Sequence, residues 1–185
     1  MNFTQTQFPG LCLIEPKVHG DARGYFFESF LQSEFEREVG QIKFVQENES
    51  KSGYGVLRGL HFQKPPFAQA KLVRCISGSI LDIVVDIRPE SPTFKKWYSV
   101  NLSGSNKLQL FIPRGFAHGF VVLSDEAIFS YKVDNLYAPS YDAGIRYDDP
   151  DLLIDWEISV DDIKLSAKDR ELPLFSKLDI RDFSF

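Results

Sequence analysis

Across residues 70–133, hydrophobic and polar positions alternate in short runs separated by turn-forming clusters: "SGS" at 77–79, "RPESPT" at 88–93 and "LSGSN" at 102–106. Such punctuation, arriving about every 8–12 residues, predicts strand after strand. In "ILDIVVDIR", Leu81, Ile83, Val85 and Ile87 share one face, while Asp82, Asp86 and Arg88 share the other. This period of two is that of a half-buried antiparallel strand. Similar runs recur in "KLQLFIP" and "AIFSYKV". Helical spacing is confined to "ESFLQSEFEREVG", where Leu31, Phe35 and Val39 recur at i, i+4 and i+8 before Gly40, and to the weaker segment 161–168. The expectation is an all-β body, a sandwich or barrel of two antiparallel sheets with a few short accessory helices.

A chain of 185 residues, 43% hydrophobic, can bury a sizeable core and is read as one domain spanning residues 1–185. No internal repeat, low-complexity tract or linker divides it. The C-terminal "LPLFSKLDIRDFSF" carries enough Leu and Phe to pack on the barrel or on a partner subunit. Twenty-one basic against 26 acidic side chains leave a net charge of −5, which argues against a partner that is a nucleic-acid polymer. An anionic ligand must therefore be met by a local cluster. The N-terminal segment has no basic region followed by an apolar stretch, and no run approaches the roughly 18 apolar residues of a membrane span. A cytoplasmic chain without membrane association is expected. Cys12 and Cys75 are too few for a metal knuckle or a disulfide framework and receive no role.

"VLRGLHFQKPPFAQAKLV", residues 56–73, brings Arg58, His61 and Lys71 close together in a chain with three histidines. Two histidines on neighbouring strands of a small barrel raise the possibility of a cupin-type metal site. "PRGFAH" supplies Pro113, Gly115 and His118 in the arrangement of the second half of such a motif. The first half is absent: His61-Phe62-Gln63 replaces H-x-H, and Lys71 stands where a carboxylate ligand would be sought. A cation there opposes a metal ion, and two histidines without a carboxylate fall short of the facial triad of an iron oxygenase. The expectation is that the site holds no metal and needs no cofactor. Core histidines are the plainer alternative, but Arg58, Gln63, Lys71, Arg74 and Arg114 lie near them in otherwise apolar segments. Polar groups gathered on strand faces point to a wet, anion-accepting cavity. His19 reads as a loop residue.

Taken together, "DARGYFFESF", "VLRGLHFQ", "AKLVRCISGSILDIVVDIRPESPTFKKW", "IPRGFAHGF", "YKVDNLYAPSYDAGIRYDDPDLLIDW" and "LSAKD" closely resemble the dTDP-4-dehydrorhamnose 3,5-epimerase family over nearly the whole chain. The resemblance implies a cupin-like jelly roll that works without a metal, usually as a homodimer with exchanged N-terminal strands. It also implies a dTDP-linked 4-keto-6-deoxysugar substrate. Both stereocentres inverted by such an enzyme lie α to the C4 ketone. Chemistry therefore requires a base, a cation for the enolate oxygen and an acid across the ring.

By that resemblance His61 is the base, Asp169 its carboxylate partner, Lys71 the support for the enolate oxygen and Tyr131 the proton donor. Read singly, Asp169 would be a surface carboxylate, Lys71 a solvated strand lysine and Tyr131 a packed aromatic. The resemblance likewise carries Arg23, Glu28, Gln46, Asn48, Arg58, His118 and Lys168 over as substrate-binding residues, with Tyr137 stacking on thymine. Arg suits a diphosphate because its planar donors grip anionic oxygens in pairs. Asp142 stands where many relatives carry Glu, which alters that one contact. Relatives that epimerise C3 or C5 alone keep equivalents of His61, Asp169 and Lys71, and the retention of Tyr131 favours inversion at both centres. A metal-dependent cupin enzyme and a non-catalytic sugar-nucleotide-binding cupin are the alternatives from other classes.

Overall fold

The computed structural model describes residues 1–179 and 185. Six strands form one antiparallel sheet in the order β1 (Asn2–Gln5), β2 (Cys12–Glu15), β10 (Gln109–Ile112), β7 (Lys71–Ser77), β12 (Glu126–Val133) and β5 (Gln46–Gly53). Five form a second: β13 (Asp142–Gly144), β6 (Leu57–Gln63), β11 (Phe116–Val122), β8 (Ser79–Asp86) and β9 (Trp97–Ser103). A separate hairpin pairs β3 (His19–Asp21) with β4 (Gly24–Phe26). The two sheets pack face to face as a jelly roll, in agreement with the all-β expectation.

Three apolar layers hold this arrangement. Between the sheets, Val73, Leu110 and Phe129 of the first meet Ile80, Val84 and Phe120 of the second. On the outer side of the second sheet, Leu81, Ile83, Val85 and Ile87 are covered by Ile145, Leu152, Trp156 and Phe175. On the outer side of the first, Cys12, Ile14, Leu72 and Phe111 are covered by Phe35. Phe35 belongs to α1 (Gln32–Glu38), shorter than the periodicity implied because Leu31 is exposed and serves as the N-terminal boundary.

The second layer corrects the reading of "ILDIVVDIR". That strand is buried on both faces: its apolar face is roofed by residues of the C-terminal third, so its acidic face looks into the barrel. Asp82 and Asp86 are accordingly buried. Asp86 is satisfied by Arg88, Ser91 and Thr93 of the following loop. The segment 161–168 is not one helix. It contains a 3-10 turn at Val160–Asp162, a bridge from Lys164 to Val56 and the start of α2 (Ala167–Arg170). His19, expected in a loop, lies on the exposed β3. Of the C-terminal stretch, Leu172, Phe175 and Leu178 pack on the barrel, while residues 180–184 lie outside the described ones. Among the described residues no helix is long and apolar enough to cross a membrane. Both cysteines are free and buried. Burial pushes the Cys12 thiol up to about 11 and raises Cys75, so each behaves as a small hydrophobe.

A bulge in β6 governs which side chains enter the barrel. His61 pairs with His118 and Arg58 with Phe120, so three steps on β6 match two on β11. In a regular strand, residues three apart point to opposite faces. The extra residue puts Arg58 and His61 on the same, inward face. Gly59 makes this possible. Its φ is +133°, and a Cβ there would come within 2.5 Å of Gly119 Cα and 2.9 Å of the His118 carbonyl oxygen. Gly59→Ala is therefore expected to cost about 3 kcal/mol through backbone strain and overpacking. Urea unfolding measures this, and a midpoint within error of the parent would refute the proposed constraint.

Candidate active site

Between the sheets opens a cavity of about 540 Å³, the size of a nucleotide-sugar site rather than of a single ion. The second sheet contributes Arg58, His61 and His118, while the first contributes Asn48, Lys71 and Tyr131. Lys168 and Asp169 close one side from α2. Eight of the thirteen residues singled out in the sequence thus line one cavity.

His61 Nε2 lies 2.5 Å from Asp169 Oδ1. The other carboxylate oxygen of Asp169 accepts from Ser166 Oγ at 2.8 Å, and the Asp169 amide donates back to that hydroxyl at 3.1 Å. Ser166 is thus both the N-cap of α2 and a clamp on the carboxylate. Burial acts to raise the Asp169 carboxyl, whose side chain is 5% exposed. Bonds and charge from His61, the bond from Ser166 and the charge of Lys168 outweigh it and hold the group below the usual carboxylate range. A carboxylate on one ring nitrogen fixes the imidazole's tautomer and orientation and leaves the other nitrogen available.

Burial lowers the Lys71 ammonium to about 8, with Asp82 and Asp142 opposing the shift. It therefore still carries its proton at pH 7. Burial also pushes the Tyr131 phenol up, against Arg58 and a bond from Asn48, its cross-strand partner. That phenol stays protonated and can act as an acid. Arg58 reaches across the cavity to donate to Ser52 Oγ at 3.1 Å. His118 is buried, with Nε2 2.9 Å from Asp82 Oδ2, and burial holds its ring below the ordinary imidazole range.

Five predicted residues stand outside this cavity. Gln46 adjoins it through a bond to Asn48. Tyr137 donates to Asp142 Oδ2 at 2.9 Å, and Asp142 pairs with Lys168, so these two mark the rim. Arg23, with its side chain 90% exposed and paired to Asp21, lies on the β3–β4 hairpin, and Glu28 is exposed beyond it. Three neighbours read as part of the cluster have other duties. Gln63 ties the loops at Phe67, Leu136 and Ala138, Arg74 covers the Phe27 ring, and Arg114 pairs with Asp134. Asp82, Ser166 and Lys164 were missed. The spacing S-x-x-D in "SAKD" is a helix-capping signal that could have found Ser166. Nothing local could have found Asp82.

The donor set does not suit a metal ion. Among the described residues no three His, Cys, Asp or Glu side chains are placed to hold one, and an ammonium shares the cavity with the two histidines. What the walls do present is a histidine–carboxylate pair, a fixed cation and a protonated phenol around a nucleotide-sized space. That combination in a jelly roll defines an isomerase class acting by proton transfer at carbon. A family model for dTDP-4-dehydrorhamnose 3,5-epimerase matches residues 5–177. The dTDP-4-dehydrorhamnose 3,5-epimerase of Shigella flexneri is 55% identical over 159 residues, 85% of this chain and 88% of that one. The crystal structure of the enzyme of that name from Elizabethkingia anophelis NUHP1 is 50% identical with a TM-score of 0.91, over 95% of this chain and 97% of that one. A structure of dTDP-6-deoxy-D-glucose-3,5-epimerase from Legionella pneumophila Philadelphia 1, in complex with dTDP-4-keto-L-rhamnose, is 46% identical with a TM-score of 0.94, over 98% and 96%. The chain belongs to the dTDP-4-dehydrorhamnose 3,5-epimerase family.

The Asp169 shift carries a stability consequence of definite sign. A carboxyl held below its unfolded value adds stability that is complete above about pH 3.9 and is lost as pH falls towards the folded-state value. The difference in urea midpoint between the parent and Asp169→Asn should shrink as pH falls from about 5 to below about 4, where the carboxyl takes up its proton. A difference unchanged down to pH 3 would show that Asp169 is not held in this way.

Proposed function

We propose that the chain epimerises C3 and C5 of dTDP-4-dehydro-6-deoxy-D-glucose to give dTDP-4-dehydro-L-rhamnose, a step of rhamnose and cell-surface polysaccharide biosynthesis. The observation that carries this reading is the placement of His61 and Tyr131 on facing sheets across one cavity. Inverting a carbon α to a ketone needs proton removal from one face and delivery to the other. His61, oriented by Asp169, removes the proton, and the electron pair moves onto the C4 oxygen as an enolate. Lys71 receives that negative charge. Tyr131 returns a proton from the opposite wall, the enolate collapses to the ketone and the centre is inverted. Because both carbons flank the same ketone, one set of groups serves both, once His61 has released its proton to solvent and Tyr131 has regained one between the two inversions.

Arg58 and Lys168 take the diphosphate, with Asn48, Gln46, His118 and Asp142 completing the nucleotide-sugar contacts and Tyr137 stacking on the thymine. Asp142 is shorter than the Glu of many relatives, and its pairing with Lys168 and Tyr137 supports a role in setting the rim. Residues 1–185 act as one domain, supported by the packing of Leu152, Trp156 and Phe175 on the second sheet. Two buried free thiols agree with a reducing cytoplasm.

In D₂O, the parent enzyme should place deuterium at both C3 and C5 with inversion, read by NMR. His61→Ala should lose at least about 10²–10⁴-fold in both exchange and turnover. Tyr131→Phe separates the two steps: solvent deuterium should still enter while inversion falls, since His61 can return a proton to the face it took one from. Exchange at a single carbon in the parent would reassign the chain as a mono-epimerase, and none at either would overturn the reaction.

The working unit in this proposal is a homodimer with exchanged N-terminal strands, here those of the β3–β4 hairpin because β1 and β2 pair within their own chain, and the partner's hairpin brings Arg23 and Glu28 to the cavity. The exposure of Tyr25 and Phe26, 60% and 67%, on the hairpin that carries Arg23 supports it. Arg23→Ala and His61→Ala, each inactive alone, should recover about a quarter of parental sites when unfolded together and refolded, because each mixed dimer holds one intact site. No recovery in a confirmed mixed dimer would place Arg23 and His61 in the same site of one subunit.

A further inference from the structure

Asp82 has no role in the steps above, yet its position is unusual for a carboxylate. It lies on the inward face of β8, fully buried, between Ile80 and Val84 of the core. Its Oδ2 accepts from His118 Nε2 at 2.9 Å, while its Oδ1 is buried without a hydrogen-bond partner among the described residues. Burial keeps His118 below the usual imidazole range, so the ring donates its N–H as a neutral group and brings no positive charge to Asp82. A buried carboxylate in that condition is costly unless a cation lies close by. Lys71, on the facing sheet and in the same cavity as His118, is the cation on which Asp82 acts, and Asp82 ranks above Asp142 among the charges favouring its ammonium.

We propose that Asp82 is a positioning residue: clamped by His118, its carboxylate is the buried counter-charge that keeps the Lys71 ammonium protonated and held in the cavity. The inference rests on the assignment of Lys71 to the enolate oxygen and concerns how the site retains that charge. No hydrogen bond joins the two side chains among the described residues, so the ammonium's donors stay available to the ligand. Other groups face Lys71 as well. Asp142 on β13 supports the ammonium from the rim. Arg58 and His61 on β6, His118 on β11, and Lys164 and Lys168 line the same cavity and would oppose it when charged. Tyr131 is neutral, and Asp169 is paired to His61. Removing Asp82 leaves burial, opposed by Asp142 alone, to draw the ammonium below its present value near 8, towards a neutral amine unable to hold an oxyanion.

The test is a titration of Lys71 in the full-length chain by NMR of ¹³Cε-labelled lysine, with the signal assigned by Lys71→Arg. In Asp82→Asn, which retains an acceptor for His118, the Lys71 midpoint should fall by about one unit or more, and the alkaline limb of kcat should move with it. At pH 8.5, above both midpoints, kcat should fall at least about eightfold while KM changes less than about threefold, the pattern of a charge needed in the transition state. A folded Asp82→Asn with the parental Lys71 midpoint would overturn the proposal. Should that variant not fold, the coupling is read in reverse, because it is reciprocal. In Lys71→Met the Asp82 carboxyl midpoint, followed at ¹³Cγ, should rise by a similar amount, and an unchanged value would overturn the proposal equally. These midpoints are measured without substrate. If they shift as described while the parent exchanges neither C3 nor C5, the counter-charge stands and the reaction assigned to the site falls.

Discussion

Charged and titratable groups can sit between two apolar sheets only in compensated sets, and this constraint governs the interior of the molecule. His61 is paired with Asp169, Asp169 is clamped again by Ser166, and Asp82 is held by His118. Each pairing offsets a desolvation cost that would otherwise favour neutral residues or collapse of the cavity. The same pairings fix side-chain orientation. Compensation also spans separate parts of the fold. Asp169 comes from a helix near the C-terminus and His61 from a strand of the second sheet, so the dyad exists only when α2 is docked on β6.

Backbone geometry then decides what these groups can do. The β6 bulge, permitted by Gly59 against Gly119, directs Arg58 and His61 to one face. Antiparallel pairing places His118 opposite His61, while Lys71 and Tyr131 face them from the other sheet. Proton removal and delivery on opposite faces of a sugar need groups on opposite walls, and a two-sheet body supplies the walls without flexible loops. The phenol and the ammonium both keep their protons at neutral pH, although burial pushes their titrations in opposite directions. Burial penalises the charged form of each, and the charged form of a phenol is the deprotonated one.

Much of this was legible from the chain. Turn clusters and alternating runs identified an all-β body, and the motif order identified the family. Eight of the residues singled out meet in one cavity. Helix α1 was legible in place but not in extent, because spacing marks an apolar stripe and not the point where Leu31 leaves it. Polar β5, "QENESKSG", gave no alternating hydrophobic signal although it forms a full strand at the edge of the first sheet.

Asp82 marks the limit of that legibility. Alternation in "ILDIVVDIR" correctly separates two faces, but a period of two cannot say which face meets solvent. That depends on whether another segment covers the apolar side, and here Leu152, Trp156 and Phe175, distant in sequence, do so. The sequence by itself determined the strand pattern, the family and the inventory of ionisable groups, since each is a property of local order and residue type. Which acids are buried, which polar side chains share a cavity and which residue clamps which were decided by the tertiary structure alone. Burial and charge compensation arise between segments that meet only when the two sheets and their outer covering close.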